Sequence, residues 1–288
     1  MAQFWSLGRK SVEQVRKMKN TQFPVMNSSE RNPAGDVDYG RHGQGYAHKR
    51  RTDSRIAAWV HRALGDARTV LNVGAGAGSY EPEDRYVLAI EPSETMRTQR
   101  PRHLAPAIHG TAEQLPLDDQ SVDASMALIT VHQWRDLDKG LRELRRVTRG
   151  PIIVLTFDGD ALDRYWLAKY SPEFISADRR RFPGIETISN GLGGSPEVQV
   201  IPIPIDCVDG FTEAYYARPE SFLDSAVRRS QSGWSFVQEK DQLRFVQTLG
   251  DDLKSGTWDR KYGEWRKKPY FEGSLRLIIS NAAGRSLH

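Results

Sequence analysis

Between Thr69 and Ser93 the chain reads T-V-L-N-V-G-A-G-A-G-S-Y-E-P and, after a short polar stretch, R-Y-V-L-A-I-E-P-S. An apolar, β-branched run ends in three alternating glycines, Gly74, Gly76 and Gly78. A second apolar run ends in an acid, Glu91. An α/β chain builds a nucleoside site in this way. Glycine lets backbone approach a ligand where a side chain would collide. An acid at the tip of the next strand is placed to accept hydrogen bonds from two ribose hydroxyls.

Two ligand classes compete for such a loop. A dinucleotide site asks for G-x-G-x-x-G followed by a helix whose N-terminal amides face a pyrophosphate. Here the pattern is G-x-G-x-G, Ser79 stands where the last glycine of the dinucleotide pattern would fall, and Pro82 cuts short any helix after the loop. The loop therefore suits a nucleoside without phosphates. A bare tight turn and a dehydrogenase remain open on this segment alone.

Composition narrows the field. The chain has 288 residues, 38% of them hydrophobic, enough for one large domain or a domain with a cap. No run of about 18 apolar residues occurs, so no transmembrane helix and no membrane partner are expected. The single cysteine, Cys207, excludes an intrachain disulfide or a cysteine-built zinc site and reads as a small core residue in a cytoplasmic protein. The net charge of +4 is spread over scattered arginine clusters rather than one basic face with interleaved aromatics, which argues against nucleic acid as the partner. An RNA substrate stays as the alternative. A homo-oligomer is compatible with the composition.

Residues 1–38 read as an appendage, a basic helix-like leader followed by the polar, turn-rich linker N-S-S-E-R-N-P-A-G-D-V-D. A main domain of residues 39–288 follows. Thr52 to Leu64 is an amphipathic helix with Thr52 or Asp53 as N-cap and Gly65 as its stop. Strands are expected near 69–73, 86–90, 106–109, 123–130 and 151–157, and helices near 93–100 and 136–148, the latter on the stripe Leu137, Leu141, Leu144 and Val147. Alternating strands and helices imply an α/β fold, a doubly wound, mostly parallel sheet. Residues 158 to about 197 break that rhythm with Tyr165, Trp166, Tyr170, Phe174 and Phe182 and then the glycine-rich N-G-L-G-G-S-P, which reads as a loop. A lid and substrate insertion is expected over about 158–230. Glu197–Asp206 reads as an edge strand, segments near 211–230 and 240–254 as helical, and Ser274–Asn281 as the closing strand, seven strands in all.

Further motifs follow in order: G-T-A-E-Q-L-P-L-D-D-Q-S-V-D-A-S-M-A-L over residues 110–128, A-L-I-T-V-H-Q-W-R-D over 127–136, and G-L-R-E-L-R-R-V-T-R-G-P-I-I-V-L-T-F over 140–157. With these the chain resembles the class I S-adenosylmethionine-dependent methyltransferases, in particular the small-molecule group called methyltransferase type 11 or UbiE-like. The resemblance runs over about residues 39–157, with a weaker likeness beyond. It implies a Rossmann-like methyltransferase fold, S-adenosyl-L-methionine as cofactor, S-adenosyl-L-homocysteine as product, and methyl transfer to a small, aromatic or partly apolar acceptor. A non-catalytic cofactor-binding module is the remaining alternative to an enzyme.

Carried over residue by residue, the resemblance implies a cofactor set of Tyr46, Arg50, Asn72, Gly74, Ala75, Gly76, Glu91, Pro92, Thr111, Ala112, Glu113 and Thr130. Tyr46 and Arg50 match a Y-x-x-x-R segment that folds over the cofactor in relatives. Two positions depart from the family pattern: Asn72 and Thr111 stand where relatives often carry aspartate, and Glu113 is the candidate substitute for the second. Thr130 to Trp134 follow strand four at its C-terminal edge, where open α/β sheets bind ligands. His132 there is the candidate general base, because its resting pKa suits proton transfer near neutrality. Trp134, Tyr165, Trp166, Tyr215 and Tyr216 are the substrate-side candidates, with Glu213 beside them. Asp158, Asp160 and Asp163 read as capping or anchoring groups, and no metal is expected.

Overall fold

The computed structural model describes residues 50–281. The expected Tyr46 contact and the extension over residues 1–38 lie outside the described residues. Helix α1 (Ser54–Ala63) starts where Asp53 accepts the Arg55 amide at 3.1 Å, and Gly65 follows its end with φ +53°, the left-handed stop that glycine adopts most readily. Strand β1 (Thr69–Val73) leads into the glycine loop, and β2 (Tyr86–Ile90) follows with no helix between them. Then come α2 (Glu94–Thr98), β3 (Ala124–Leu128), α3 (Leu137–Val147) and β4 (Ile152–Phe157).

Every β4 residue is buried, the mark of a strand covered on both faces. The predicted stripe of α3 packs inward through Leu141, Leu144 and Val147. Beyond β4 lie the short helices α4 (Leu167–Tyr170), α5 (Pro172–Arg181) and α6 (Ile185–Leu192), then β5 (Ser195–Val200) and a two-residue β6 (Ile203–Pro204). Helix α7 (Ser225–Arg229), the long α8 (Glu239–Lys254), α9 (Thr257–Tyr262), a two-residue β7 (Tyr270–Phe271) and β8 (Leu275–Asn281) complete the described chain.

The main sheet runs β2-β1-β3-β4-β8-β5, with β1 to β4 parallel and β8 antiparallel to both neighbours. The chain moves outward from β1 to β2 and then returns past β1 to β3. The strand order therefore reverses between β1 and β3, and a crevice opens at their C-terminal ends.

Three expectations change. Among the described residues the sheet has six strands rather than seven, because the segment near 106–109 makes a single parallel bridge, Ile90 to Ile108. The expected strand over Glu197–Asp206 is two pieces, broken where Pro202 interrupts the run; Pro196 is tolerated because β5 is an edge. The glycine-rich run is not all loop. Asn190, Gly191 and Leu192 close α6, since a Cβ on Gly191 would meet Leu141 Cδ1 at 2.5 Å, so this glycine lets α6 press against α3. The turn is confined to Gly193 and Gly194, both at positive φ.

Candidate functional site

The crevice at the ends of β1, β2 and β3 opens into a cleft of about 900 Å³, its mouth continuous with solvent. Its floor is the glycine loop. Gly74 sits at φ +68°, and a Cβ there would lie 2.0 Å from Thr130 Oγ1, so only glycine lets the end of β3 close against the loop. Four of the loop's own amides are already engaged. Gly74 and Ala75 N–H donate to the Ile90 carbonyl at 2.9 and 3.0 Å, Gly76 N–H to Glu91 Oε2 at 2.8 Å, and Gly78 N–H to the Ala75 carbonyl at 2.9 Å. A phosphate-binding loop needs such amides free.

Glu91 lines the cleft and is buried. Its oxygens accept one amide each, Oε1 from Ser93 and Oε2 from Gly76, both at 2.8 Å. A carboxylate offers about four acceptor positions, so two remain. Helix α2 is capped by Ser93, whose Oγ accepts the Met96 amide, and not by Glu91. Burial raises the Glu91 pKa, while the Ser93 and Gly76 amides act to lower it.

Asn72 answers the missing aspartate in a specific way. Its Nδ2 donates to Glu81 Oε1 at 2.8 Å, and Glu81 in turn pairs with Arg100 at 2.8 Å. The amide orientation is thereby fixed, and Asn72 Oδ1 is left buried without a partner on the cleft wall. Pro92, Thr111 and Ala112 line the same cleft. So does Glu113, although its Oε1 accepts the Arg135 and Asp136 amides at 2.9 and 3.3 Å. Thr130 and Arg50 complete the expected set, so every cofactor-side candidate within the described residues borders this one cleft.

Trp134 also lines the cleft and not the neighbouring cavity. Its ring lies over Gly140, where a Cβ would approach Trp134 Cε3 to 2.5 Å. Glycine in a helix interior costs roughly 0.5–1 kcal/mol relative to alanine; at Gly140 that cost makes room for an indole wall.

A second cavity, a space of about 560 Å³ that also opens to solvent, adjoins the first, and Arg50 and Ile129 line both. Ile129 holds φ +53°, a conformation uncommon for a β-branched residue, with its amide on the Leu155 carbonyl at 2.7 Å. The following turn, Val131–Gln133, divides the two spaces: Thr130 and Gln133 face the first and His132 the second. Burial, reinforced by Arg181 and Arg50, pushes the His132 pKa well below 6.5, so the ring is neutral at pH 7. Its Nδ1 is buried without a partner, and its ring meets Phe182 edge-on at 4.8 Å.

None of the five aromatic substrate-side candidates lines the second cavity: Trp134 lines the first, and the other four line neither. Tyr165, Trp166 and Tyr216 are each 2% exposed or less and do not line either cavity. Trp166 Nε1 donates to the Tyr216 carbonyl at 2.9 Å, Tyr165 Oη to Thr212 O at 3.2 Å and Tyr216 Oη to Lys268 O at 2.6 Å. Tyr215 packs edge-on against Phe222 with Arg218 over its ring. Large rings bury the most apolar area, and the segment beyond β4 uses them as a core shared with Trp258, Phe222 and Phe271. Glu213 does line the second cavity; it is buried and its carboxylate accepts the Ser274 amide and hydroxyl. Burial pushes its pKa up to about 7 against those bonds.

Sequence reasoning missed Tyr80, Ile129, Asp209 and Gln231. Tyr80, also at positive φ, lines the cleft and donates to Asp209 at 2.6 Å, the carboxylate that also pairs with Arg50 at 2.6 Å. No periodicity marks such a contact between residues 129 positions apart. Two of the three aspartates after β4 are committed to the fold: Asp158 accepts the Asp160 amide and pairs with Arg276, and Asp163 pairs with Arg179.

Comparison with known proteins follows the same boundaries. A family model described as a methyltransferase domain matches residues 71–151, from β1 to the start of β4. Proteins named uncharacterized methyltransferases from Mycobacterium tuberculosis and Mycobacterium bovis are 36% identical over 91 residues, 29% of this chain and 36% of their own length. The matched part of the chain thus spans about a third of those relatives. A crystal structure titled a putative methyltransferase from an antibiotic biosynthesis pathway of Anabaena variabilis superposes with a TM-score of 0.76 at 30% identity, covering 82% of this chain and 100% of that one.

Proposed function

The chain belongs to the class I S-adenosylmethionine-dependent methyltransferases, and from that premise we propose that it transfers a methyl group to a small, aromatic or partly apolar acceptor held in the second cavity. The observation that carries the reading is the pair of adjoining spaces with a shared wall at Arg50 and Ile129. A cofactor in one and an acceptor in the other would meet across that wall.

The first cleft suits a phosphate-free nucleoside. The loop amides at positions 74, 75, 76 and 78 are used internally, Glu91 keeps two acceptor positions for ribose hydroxyls, and Asn72 Oδ1 offers a buried acceptor to an ammonium group. Trp134, Thr111 and Ala112 supply flat and small surfaces on the remaining wall. When bound, S-adenosylmethionine supplies a methyl group that is electrophilic by virtue of its sulfonium. The protein's task is then alignment of the acceptor and exclusion of water, which together account for a large part of the rate in such reactions.

A small acceptor fits the charge distribution better than RNA does. Several members of the arginine clusters noted in the sequence are turned inward or paired. Arg145 donates to the Leu192 and Ser280 carbonyls, Arg146 pairs with Glu143 and Asp119, and Arg179 and Arg181 pair with Asp163 and Asp178.

Titration calorimetry with S-adenosylhomocysteine and with NAD, followed by transfer of labelled methyl from S-adenosylmethionine to a metabolite extract or to bulk tRNA, tests the proposal. Binding of the thioether product alone, with label in the small-molecule fraction, is expected. Label appearing only in tRNA, or binding of NAD in its place, would overturn it.

A further inference from the structure

We infer that the second cavity selects an aromatic acceptor bearing two oxygen functions, a hydroxyl that meets His132 and a carbonyl or ether oxygen that meets the Gln231 amide. This rests on the methyl-transfer reading above and adds to it the chemical class of the acceptor.

The argument begins with Gln231. It lines the second cavity and is 5% exposed. Its Oε1 accepts from Trp234 Nε1 at 3.1 Å and from Thr212 Oγ1 at 3.0 Å. An indole N–H only donates, so the oxygen must face Trp234 and the amide orientation is settled by chemistry. The Nε2 group is then left buried without a partner. A buried, unsatisfied donor costs about 1–3 kcal/mol, and a ligand that brings an acceptor recovers that cost. The group that fits is a lone-pair oxygen.

His132 is the second unspent group. Its Nδ1 is buried and unpartnered in the same cavity, one residue from side chains that face the cofactor cleft. A hydroxyl can donate to the neutral ring. In the transfer, the acceptor oxygen lone pair forms the new C–O bond as the methyl C–S bond breaks and its electron pair stays on sulfur. The hydroxyl proton passes to the imidazole and then to solvent. An oxygen that has gained a methyl while keeping its proton is strongly acidic, so even a weakly basic imidazole suffices.

The body of the acceptor follows from the apolar part of the remaining wall, which Arg50, Asp178, Arg181 and Glu213 complete with charged groups. Phe157 lies 5.2 Å from Phe182 and 5.5 Å from Phe211, centroid to centroid, in tilted arrangements, with Leu162 and Ile129 beside them. Such a cage takes a flat ring by offset or edge contact.

The test uses the full chain loaded with S-adenosylhomocysteine and the positional isomers of hydroxyacetophenone, each paired with the ethylphenol that lacks the carbonyl. Calorimetry should give a preference of at least tenfold for one hydroxyacetophenone isomer over its ethylphenol. Gln231→Glu keeps an oxygen for Trp234 and Thr212 but replaces the donor with a second oxygen, and should reduce that preference to about one. The ratio is insensitive to a general loss of packing, which melting curves of the variant report separately. With S-adenosylmethionine in place of the product, the preferred isomer should be methylated on oxygen. The inference is overturned by an absent preference, by one that survives Gln231→Glu, or by failure of every isomer to bind. If S-adenosylhomocysteine itself binds in those cases, the methyltransferase reading stands and only the acceptor class falls.

Discussion

The two cavities lie side by side yet are assembled differently. The cofactor-side cleft is made by strand ends and the loops directly after them: the 74–78 glycines after β1, Glu91 after β2 and Thr130 after β3. The second cavity is made by side chains from distant segments, with Ile129, His132, Phe157, Asp178, Phe211, Gln231 and Ser274 among its walls. A cleft of the first kind is fixed by topology, because a parallel sheet that reverses its order must open a crevice there. One of the second kind depends on how a particular set of rings and buried polar groups packs, and can change its ligand while the sheet stays the same.

The comparison predicts where substitutions act. The largest effect belongs to the aromatic core beyond β4. Trp166→Ala should cost roughly 3–5 kcal/mol of stability, because it empties a fully packed site and removes the bond to Tyr216 O. Denaturant melts should show it. A variant that melts normally yet loses acceptor binding would return Trp166 to the substrate wall.

Next come the two buried titratable groups of the second cavity, which pull in opposite directions. Glu213 rises from 4.5 to about 7 on folding, so its contribution is complete below pH 4.5 and is lost as the pH climbs through 7, a change of roughly 3 kcal/mol. His132 stays neutral in the folded chain, so stability falls as the pH drops below 6.5, where the unfolded ring gains its proton. Glu213→Gln should flatten the alkaline limb of a stability profile and His132→Gln the acidic limb. If neither limb moves, these groups are not titrating as their burial requires.

Smaller in energy but sharper in meaning is Glu91→Ala. It should weaken S-adenosylhomocysteine by about tenfold to a hundredfold, for loss of charge-assisted bonds worth roughly 1.5–3 kcal/mol. Calorimetry beside a melting curve separates this from the loosening of the loop that Glu91 holds through the Gly76 and Ser93 amides.

The same contrast explains what the sequence disclosed. Strand-loop spacing placed Gly74, Gly76, Glu91 and Thr130 on one wall because each follows a strand by a fixed few residues. Caps and stripes located α1 and α3 for similar local reasons. The segment near 106–109 read as a strand on apolar content, but strand formation also needs a neighbour along its whole length, and only Ile108 has one. The rings after β4 read as a lid because their spacing is irregular; in three dimensions that irregularity is a core built of short helices and 3-10 turns. Gln231 could not be found from sequence, since its meaning comes from Thr212 and Trp234 occupying its oxygen. Gly140 did leave a signal, a glycine in the middle of an amphipathic helix, which marks a close approach once Trp134 is placed against it.

The central claim, that the glycine-loop cleft holds S-adenosylmethionine, is most directly tested by calorimetric titration of S-adenosylhomocysteine into the wild-type chain and Gly76→Val. A Cβ at position 76 meets only the mobile tip of Met96, at 3.3 Å, so the fold has room for the substitution although φ +51° strains it. Gly76 and Met96 both line the cleft, so the added branch is expected to take up ligand space there. One equivalent should bind the wild type, and affinity should fall by well over tenfold in a variant that still melts cooperatively. Unchanged affinity in a folded Gly76→Val protein would contradict the assignment.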